Sequence, residues 1–342
     1  MKKILLILLF LLFSCQNDYT TFHNDKKNNL LQEKEIDEEL KNFSLEKINY
    51  LSGVEIRSTP DLKLLDELVS KIEKAKTKVY IEMYIFTEKR LIKALKDAKN
   101  RWIDVKVILE KNVYLAPSLN NKTYNELISK NIKIVWSNKD NYALNHTKMM
   151  LIDEEWFIST WNYSYSTFKY NREFFLFIKN IEILNKLLEI FDADFNWIKK
   201  NIYHDNLILS PFYTRDKFEY ILKSAKSEIN IYSLNFWDER IKEILLQKAK
   251  EWIKINIIFP NIKEVKSNID EIELFKSNWL NIKTLDKIKL HAKAILVDKK
   301  YLYLWSINFS SYSIDKNREI WLLLSNKDII DKFLNIFNND LK

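Results

Sequence analysis

One pattern occurs twice in this chain, and the repetition fixes its architecture before any element is assigned. His146-Thr147-Lys148, four residues and Asp153 return as His291-Ala292-Lys293, four residues and Asp298. Each copy runs on to an asparagine with serine two residues later (Asn162 and Ser164; Asn308 and Ser310). Nine residues past that asparagine each copy carries Asn-Arg-Glu, at 171–173 and 317–319. The chain has four histidines, and two of them hold equivalent places in the copies. A single H-x-K is a weak signal; two copies sharing a downstream sequence are a strong one.

The duplication extends through the body of the chain. An apolar run (79–86), an amphipathic stretch with Leu91, Ile92, Leu95 and Ala98, and a second apolar run (105–109) come back as 229–236, Ile241, Ile244, Leu245 and 255–259. Apolar run, 3.6-period helix, apolar run is the βαβ pattern of a parallel sheet. Ser58-Thr59-Pro60 and Ser210-Pro211 open the two halves. The expected organisation is a signal peptide at 1–14, a polar tether at 15–50 and two similar α/β domains at 51–205 and 206–342. Each domain is of ordinary size.

Both motifs continue into short, β-rich apolar runs, 148–152 and 293–297. Strand side chains alternate faces, so a histidine and a lysine two apart point into one pocket. Asp153 and Asp298 face the other way and are expected to hold a turn. Two imidazoles suit phosphodiester chemistry. One attacks phosphorus, the other protonates the leaving oxygen, and a phosphohistidine divides one hard step into two easier ones. Lys148, Lys293, Asn162 and Asn308 are placed to stabilise charge on the phosphoryl oxygens. Glu173 and Glu319 are candidates to accept an Nδ1 proton and fix the tautomer of a catalytic histidine. Spacing leaves open which histidine is the nucleophile. Arg172 and Arg318 are equally readable as phosphate ligands or as ion pairs within their domains. His23 and His204 lie outside the pattern and read as surface residues.

On these residues the chain resembles the phospholipase D superfamily, the duplicated H-x-K-x4-D phosphodiesterases, over roughly residues 51–342. The resemblance implies two phospholipase D-like α/β domains with mixed, mostly parallel sheets. They would be related by a pseudo-twofold axis, with the active site between them and one motif from each. It implies that His and Lys act on substrate, with Asp153 and Asp298 completing the motifs. It favours His146 as nucleophile and His291 as acid, and a monomer, because one chain carries both motifs. No H-E-x-x-H or C-x2-C spacing suggests a metal site, and no cofactor is expected.

Glycine is nearly absent. One in 342 residues stands against about 24 at average usage, while ten tryptophans appear. Trp102, Trp252 and Trp279 each follow a helical stretch and precede an apolar strand, where a left-handed residue, usually glycine, ends a helix. Trp161 adjoins Asn162, and Trp305 stands where the resembled family carries glycine; Trp321 follows Asn-Arg-Glu-Ile, where that family commonly has a small residue. The expectation is that many of these are glycines encoded by UGA, with Trp197 a genuine tryptophan. The wealth of Lys, Asn and Ile fits an AT-rich gene.

The N-terminus opens with Lys2 and Lys3 before a ten-residue apolar run, Ile4 to Phe13, too short to span a bilayer as a helix. Leu12-Phe13-Ser14-Cys15 looks like a lipoprotein cleavage box. The resemblance implies export, cleavage before Cys15 and lipid attachment there, with the protein held at the cell membrane or cell surface. The net charge is +8, or +6 without Lys2 and Lys3 (53 basic against 47 acidic). Such a field favours anionic headgroups and nucleic acid alike. The expected activity is metal-independent hydrolysis or transfer at a phospholipid, with membrane and phospholipid as partners. The alternatives are a nuclease of the same superfamily acting on nucleic acid, a cardiolipin synthase-like transferase, and an inactive phosphate-binding module.

Overall fold

The computed structural model describes residues 36, 38–306 and 309–342, and of Trp305 the backbone alone. The expected signal peptide, Cys15, much of the tether and Asn308 lie outside the described residues. Ser44–Lys342 is one compact unit containing both halves of the duplication; Met1–Phe43 is another.

The first half contains β1 (Val54–Ser58), α1 (Leu62–Glu73), β2 (Lys78–Met83), α2 (Lys89–Asn100), β3 (Asp104–Leu109), α3 (Asn121–Ile128) and β4 (Lys133–Trp136). A hairpin follows, β5 (Lys148–Ile152) and β6 (Glu155–Ser159), then α4 (Tyr165–Tyr170), β7 (Asn171–Arg172), β8 (Phe174–Ile178) and α5 (Ile181–Phe195). The second half repeats the series: β9 (Leu207–Ser210), α6 (Thr214–Ser224), β10 (Glu228–Tyr232), α7 (Glu239–Lys250), β11 (Lys254–Pro260), α8 (Ile269–Ser277) and β12 (Asn281–Leu285). It ends with β13 (Lys289–Leu290), β14 (Lys293–Val297), β15 (Tyr301–Trp305), α9 (Ser311–Asp315), β16 (Glu319–Leu324) and α10 (Lys327–Leu341).

Two seven-stranded sheets result, in the orders β1-β8-β6-β5-β2-β3-β4 and β9-β16-β15-β14-β10-β11-β12. Strand for strand, the halves are the same. Both sheets are mixed, as expected, but they are not mostly parallel. Parallel pairing is confined to β2-β3-β4 and β10-β11-β12. The other four pairs in each sheet are antiparallel. The βαβ pattern holds where a helix crosses over. It does not reach the motif strand, whose turn at Asp153 and Glu154 is far too short for a parallel connection.

Local sequence explains the crossovers. The 3.6-period face of α2, Leu91, Ile92, Leu95 and Ala98, is buried, and the Glu88 side chain caps its first turn by accepting from Arg90 N. β2 and β3 are buried on both faces or nearly so, as strands between helices must be. The halves also share apolar contacts: Phe174 of β8 lies 5.7 Å from Tyr232 of β10 and 5.2 Å from Phe333 of α10. His204 is not a free surface residue. Its Nε2 lies 3.0 Å from Glu182, and its Nδ1 accepts from Asn206 N.

Candidate active site

The halves interlock through the motif segments themselves. β7 and β13 form a parallel ladder, Asn171 opposite Lys289 and Arg172 opposite Leu290, and Asn145 bridges Arg318. His146 N donates to Arg318 O at 2.9 Å, and Ala292 N donates to Arg172 O at 2.9 Å. Each motif histidine therefore hangs from the Asn-Arg-Glu segment of the opposite half.

The glutamates complete the exchange. Glu319, fully buried, places Oε1 and Oε2 at 2.9 and 3.1 Å from His146 Nδ1. Glu173, equally buried, places Oε1 3.3 Å from His291 Nδ1. The second oxygen of each is held by a hydroxyl: Thr160 Oγ1 donates to Glu173 Oε2 at 2.6 Å, and Ser306 Oγ donates to Glu319 Oε2. At His146 an acceptor fixed at Nδ1 directs Nε2 outward and sets the tautomer, whereas Glu173 Oε1 approaches His291 without a hydrogen bond. Thr160 and Ser306 were not singled out in the sequence, although each stands two residues before its motif asparagine. That spacing was the available signal.

Both lysines are buried beside the rings. Lys148 Nζ donates to His146 O at 2.6 Å and lies 5.2 Å from the centre of the Tyr84 ring. Lys293 Nζ lies 2.7 and 2.8 Å from the two ring nitrogens of His291 and donates to its carbonyl at 2.8 Å. Burial shapes the titration. It pushes His146 down to about 4, against the pull of Glu319. His291 is driven well below its ordinary value by burial, then by Lys293, Lys148 and His146. Lys148 is held well below the usual lysine range by burial, and Lys293 falls to about 7 for the same reason. Burial raises Glu173 to about 8, with Lys293 opposing. Four nitrogen bases crowded together in low dielectric are complementary to an anion, whose charge would restore their protons.

Asp153 and Asp298 face away from these groups. The Asp153 carboxylate accepts from Thr77 N at 2.8 Å and from Lys76 N and Lys78 N, and Asp298 does the same with Ser227, Lys226 and Glu228. These hydrogen bonds hold both carboxyls below their ordinary range, in opposition to burial. Both aspartates sit in left-handed turns, at φ 51 and 53. Asn162 Oδ1 accepts from Ile85 N at 3.2 Å, which ties that side chain to the segment after β2. Arg172 and Arg318 form ion pairs, but across the halves. Arg172 Nε and Nη2 bind Asp340 of α10 at 2.6 and 3.0 Å, and Arg318 binds Asp194 of α5 at 2.7 and 3.1 Å.

Two aromatic rings border the histidines. Tyr84 meets His146 edge-on at 4.5 Å between centres. Trp161 meets His291 edge-on at 3.5 Å, closer than the ~4.5–7 Å that aromatic pairs adopt. Among the described residues no group of three or more His, Cys, Asp or Glu side chains could hold a metal ion. No described helix is long and apolar enough to cross a membrane.

A family model described as "Cardiolipin synthase, PLD-like domain" matches residues 68–195 and 219–341. Comparison with curated proteins returns no match. Among solved structures, the fold is similar to phosphatidylserine synthase of Haemophilus influenzae Rd KW20 at 12% identity, with 90% of each chain covered and a TM-score of 0.71. It is similar to polyphosphate kinase of Porphyromonas gingivalis at 14% identity and a TM-score of 0.65, over 84% of this chain and 50% of that one. The chain thus spans about half the length of that kinase. A phospholipase D family member, Nuc, of Salmonella typhimurium matches at 22% identity over 44% of this chain and 97% of that one, with a TM-score of 0.38.

Proposed function

The chain belongs to the family of PLD-like domains of the cardiolipin synthase type, and on that premise we propose that it cleaves or exchanges a phospholipid phosphodiester through a phosphohistidine. The observation that carries the reading is the crossed pairing, His146 with Glu319 and His291 with Glu173. It supplies two oriented imidazoles from opposite halves, with a lysine beside each.

In the first step His146 Nε2 attacks phosphorus and the bond to the leaving alcohol breaks. His291 passes a proton from Nε2 to the departing oxygen, and the Nδ1 proton of His146 stays on that nitrogen, donated in a hydrogen bond to Glu319. In the second step water or another alcohol attacks, the phosphorus–nitrogen bond breaks, and His291 takes back a proton. His146 is taken as the nucleophile, a choice supported by its closer carboxylate: Glu319 lies 2.9 and 3.1 Å from His146 while Glu173 stands 3.3 Å from His291. Lys148 and Lys293 stabilise the equatorial oxygens. Asn162, with its carbonyl engaged by Ile85 N, offers its amino group to the same oxygens, and Asn308 is assigned that role in the second copy. Asp153 and Asp298 anchor the motif hairpins.

A lipid substrate is favoured by the rim. Tyr84, against His146, accepts from Tyr114 N at 2.7 Å, and Tyr114 and the neighbouring Leu115 are 73% and 87% exposed. Such apolar tips beside the site suit acyl chains better than a nucleic acid backbone. Export, lipid attachment at Cys15 and a monomeric state complete the proposal. The test is an assay with chelator present, on vesicles of phosphatidylglycerol or phosphatidylcholine and on single-stranded DNA, using chains with tryptophan and with glycine at 161. Headgroup release or exchange from the vesicles is expected; DNA cleavage alone would replace this reading with a nuclease. No turnover from either chain would leave a phosphate-binding module.

A further inference from the structure

Four tryptophans stand where the backbone calls for a left-handed residue. Trp102, Trp197, Trp252 and Trp279 have φ of 67, 60, 62 and 62. They follow the C-caps of α2, α5, α7 and α8. The hydrogen bonds repeat: Ile103 N donates to Ala98 O at 3.2 Å, Ile198 N to Ala193 O at 2.8 Å, Ile253 N to Lys248 O at 3.1 Å and Leu280 N to Phe275 O at 3.0 Å. This is the Schellman helix end, whose left-handed residue is usually glycine and sometimes asparagine. The end of α3 shows the alternative. Asn131 has φ 55, and Ile132 N donates to Leu127 O at 3.3 Å. α3 and α8 occupy the same place in the two halves, so one structural position carries asparagine once and tryptophan once. Only a backbone requirement unites those two residues.

The indoles do not explain their positions. Trp102, Trp252 and Trp279 are 93%, 92% and 84% exposed, although β-carbon sterics disfavour the left-handed conformation for any side chain. The chain's single glycine, Gly53, also has positive φ, 71. Other tryptophans behave differently. Trp136 stacks on Tyr124 at 4.0 Å, buried Trp156 donates to Leu184 O, and Trp321 is buried with its ring 6.4 Å from Phe218. Trp321, expected from the sequence to be a disguised glycine, lies within β16 without left-handed backbone and is left out of the assignment. Trp197 shares the left-handed backbone, but its indole donates to Trp136 O at 3.0 Å.

Trp161 makes an independent case, because its ring presses on His291 at 3.5 Å, with Lys293 Nζ 5.9 Å from its centre. We infer that residues 102, 161, 252 and 279 are glycine in the protein as its own cell makes it, specified by UGA codons which that cell reads as glycine. The consequence for the site follows directly. Without the indole, the face of the pocket over His291 and Lys293 opens to an anion the size of phosphate.

Peptide mass spectrometry of the protein isolated from its own cell, with the codons of its gene, reads the four positions directly. Glycine from UGA at 102, 161, 252 and 279, beside tryptophan from UGG at 136 and 156, is expected. Tryptophan from UGG at those four overturns the inference. A second readout concerns the pocket: the Trp161→Gly chain should bind sulfate at least about tenfold more tightly than the chain with tryptophan. Equal affinity overturns the assignment at 161. The binding arm rests on the proposed function only in treating the pocket as a phosphate site, whereas the peptide masses hold or fail whatever the protein catalyses.

Discussion

His146 and His291 differ from His204, the other described histidine, in what stands behind them. Each has a buried carboxylate at Nδ1, itself held by a hydroxyl. His146→Asn and His291→Asn should each lower turnover by about four orders of magnitude or more while circular dichroism stays unchanged; near-normal activity in either would reject the two-imidazole scheme. Glu319→Gln should cost ~10²- to 10⁴-fold in kcat, the scale set by removing a carboxylate that orients a catalytic histidine, with KM little changed. The depressed His146, His291 and Lys293 give a pH test. Their folded values lie below those in water, at about 4 for His146 and about 7 for Lys293, so these three groups hold few protons near neutrality. An anion raises these values, protons enter with it, and sulfate affinity must rise as pH falls from 8 to 6. Calorimetry in buffers of different ionisation enthalpy measures the uptake, and affinity independent of both pH and buffer would refute it. Much of this residue layer was legible because duplication marks every member twice. Thr160 and Ser306 were not, since hydroxyl residues are common and their role appears only when the Glu173 and Glu319 carboxylates are in place.

Each motif strand belongs to a hairpin, and the hairpin depends on its aspartate. Asp153 takes backbone N–H groups at the start of β2, and Asp298 does the same for β10. Asp153→Asn loses charge-assisted acceptors at a left-handed turn and should destabilise the fold by roughly 2 kcal/mol. Residual activity should survive at low temperature, read by denaturant melts beside kinetics. Loss of activity at full stability would instead make Asp153 part of the chemistry. Both carboxyls are held below their ordinary value. Their contribution is therefore complete above the ordinary carboxylate range and fades as pH falls through the folded values. At this scale the sequence was half legible. The crossover helices and parallel triplets follow from periodicity, but the antiparallel majority depends on short turns and on non-local pairing that periodicity does not encode.

Across the whole molecule, the halves are bound by the same residues that build the site. Arg318 is fully buried against Asp194 of the first half, and Arg172 pairs with Asp340 of the second. Breaking a buried pair strands a charge, so Asp194→Asn should cost about 3–5 kcal/mol. Because Arg318 O carries His146 N, activity should fall before global unfolding in a urea titration, and coincident transitions would show that the pair does not couple fold to site. The twofold plan was readable from the repeat, whereas the crossed partnership was not: nothing in the spacing says that Glu319 serves His146 and not His291. The most direct test of two imidazoles over one phosphorus uses an activated aryl phosphodiester, whose leaving group needs no acid, and the His291→Asn chain with glycine at 161. The account predicts a burst of one leaving group per chain and an acid-labile phosphoryl group mapped to residue 146. No burst, or phosphorus found on any other residue, would contradict it.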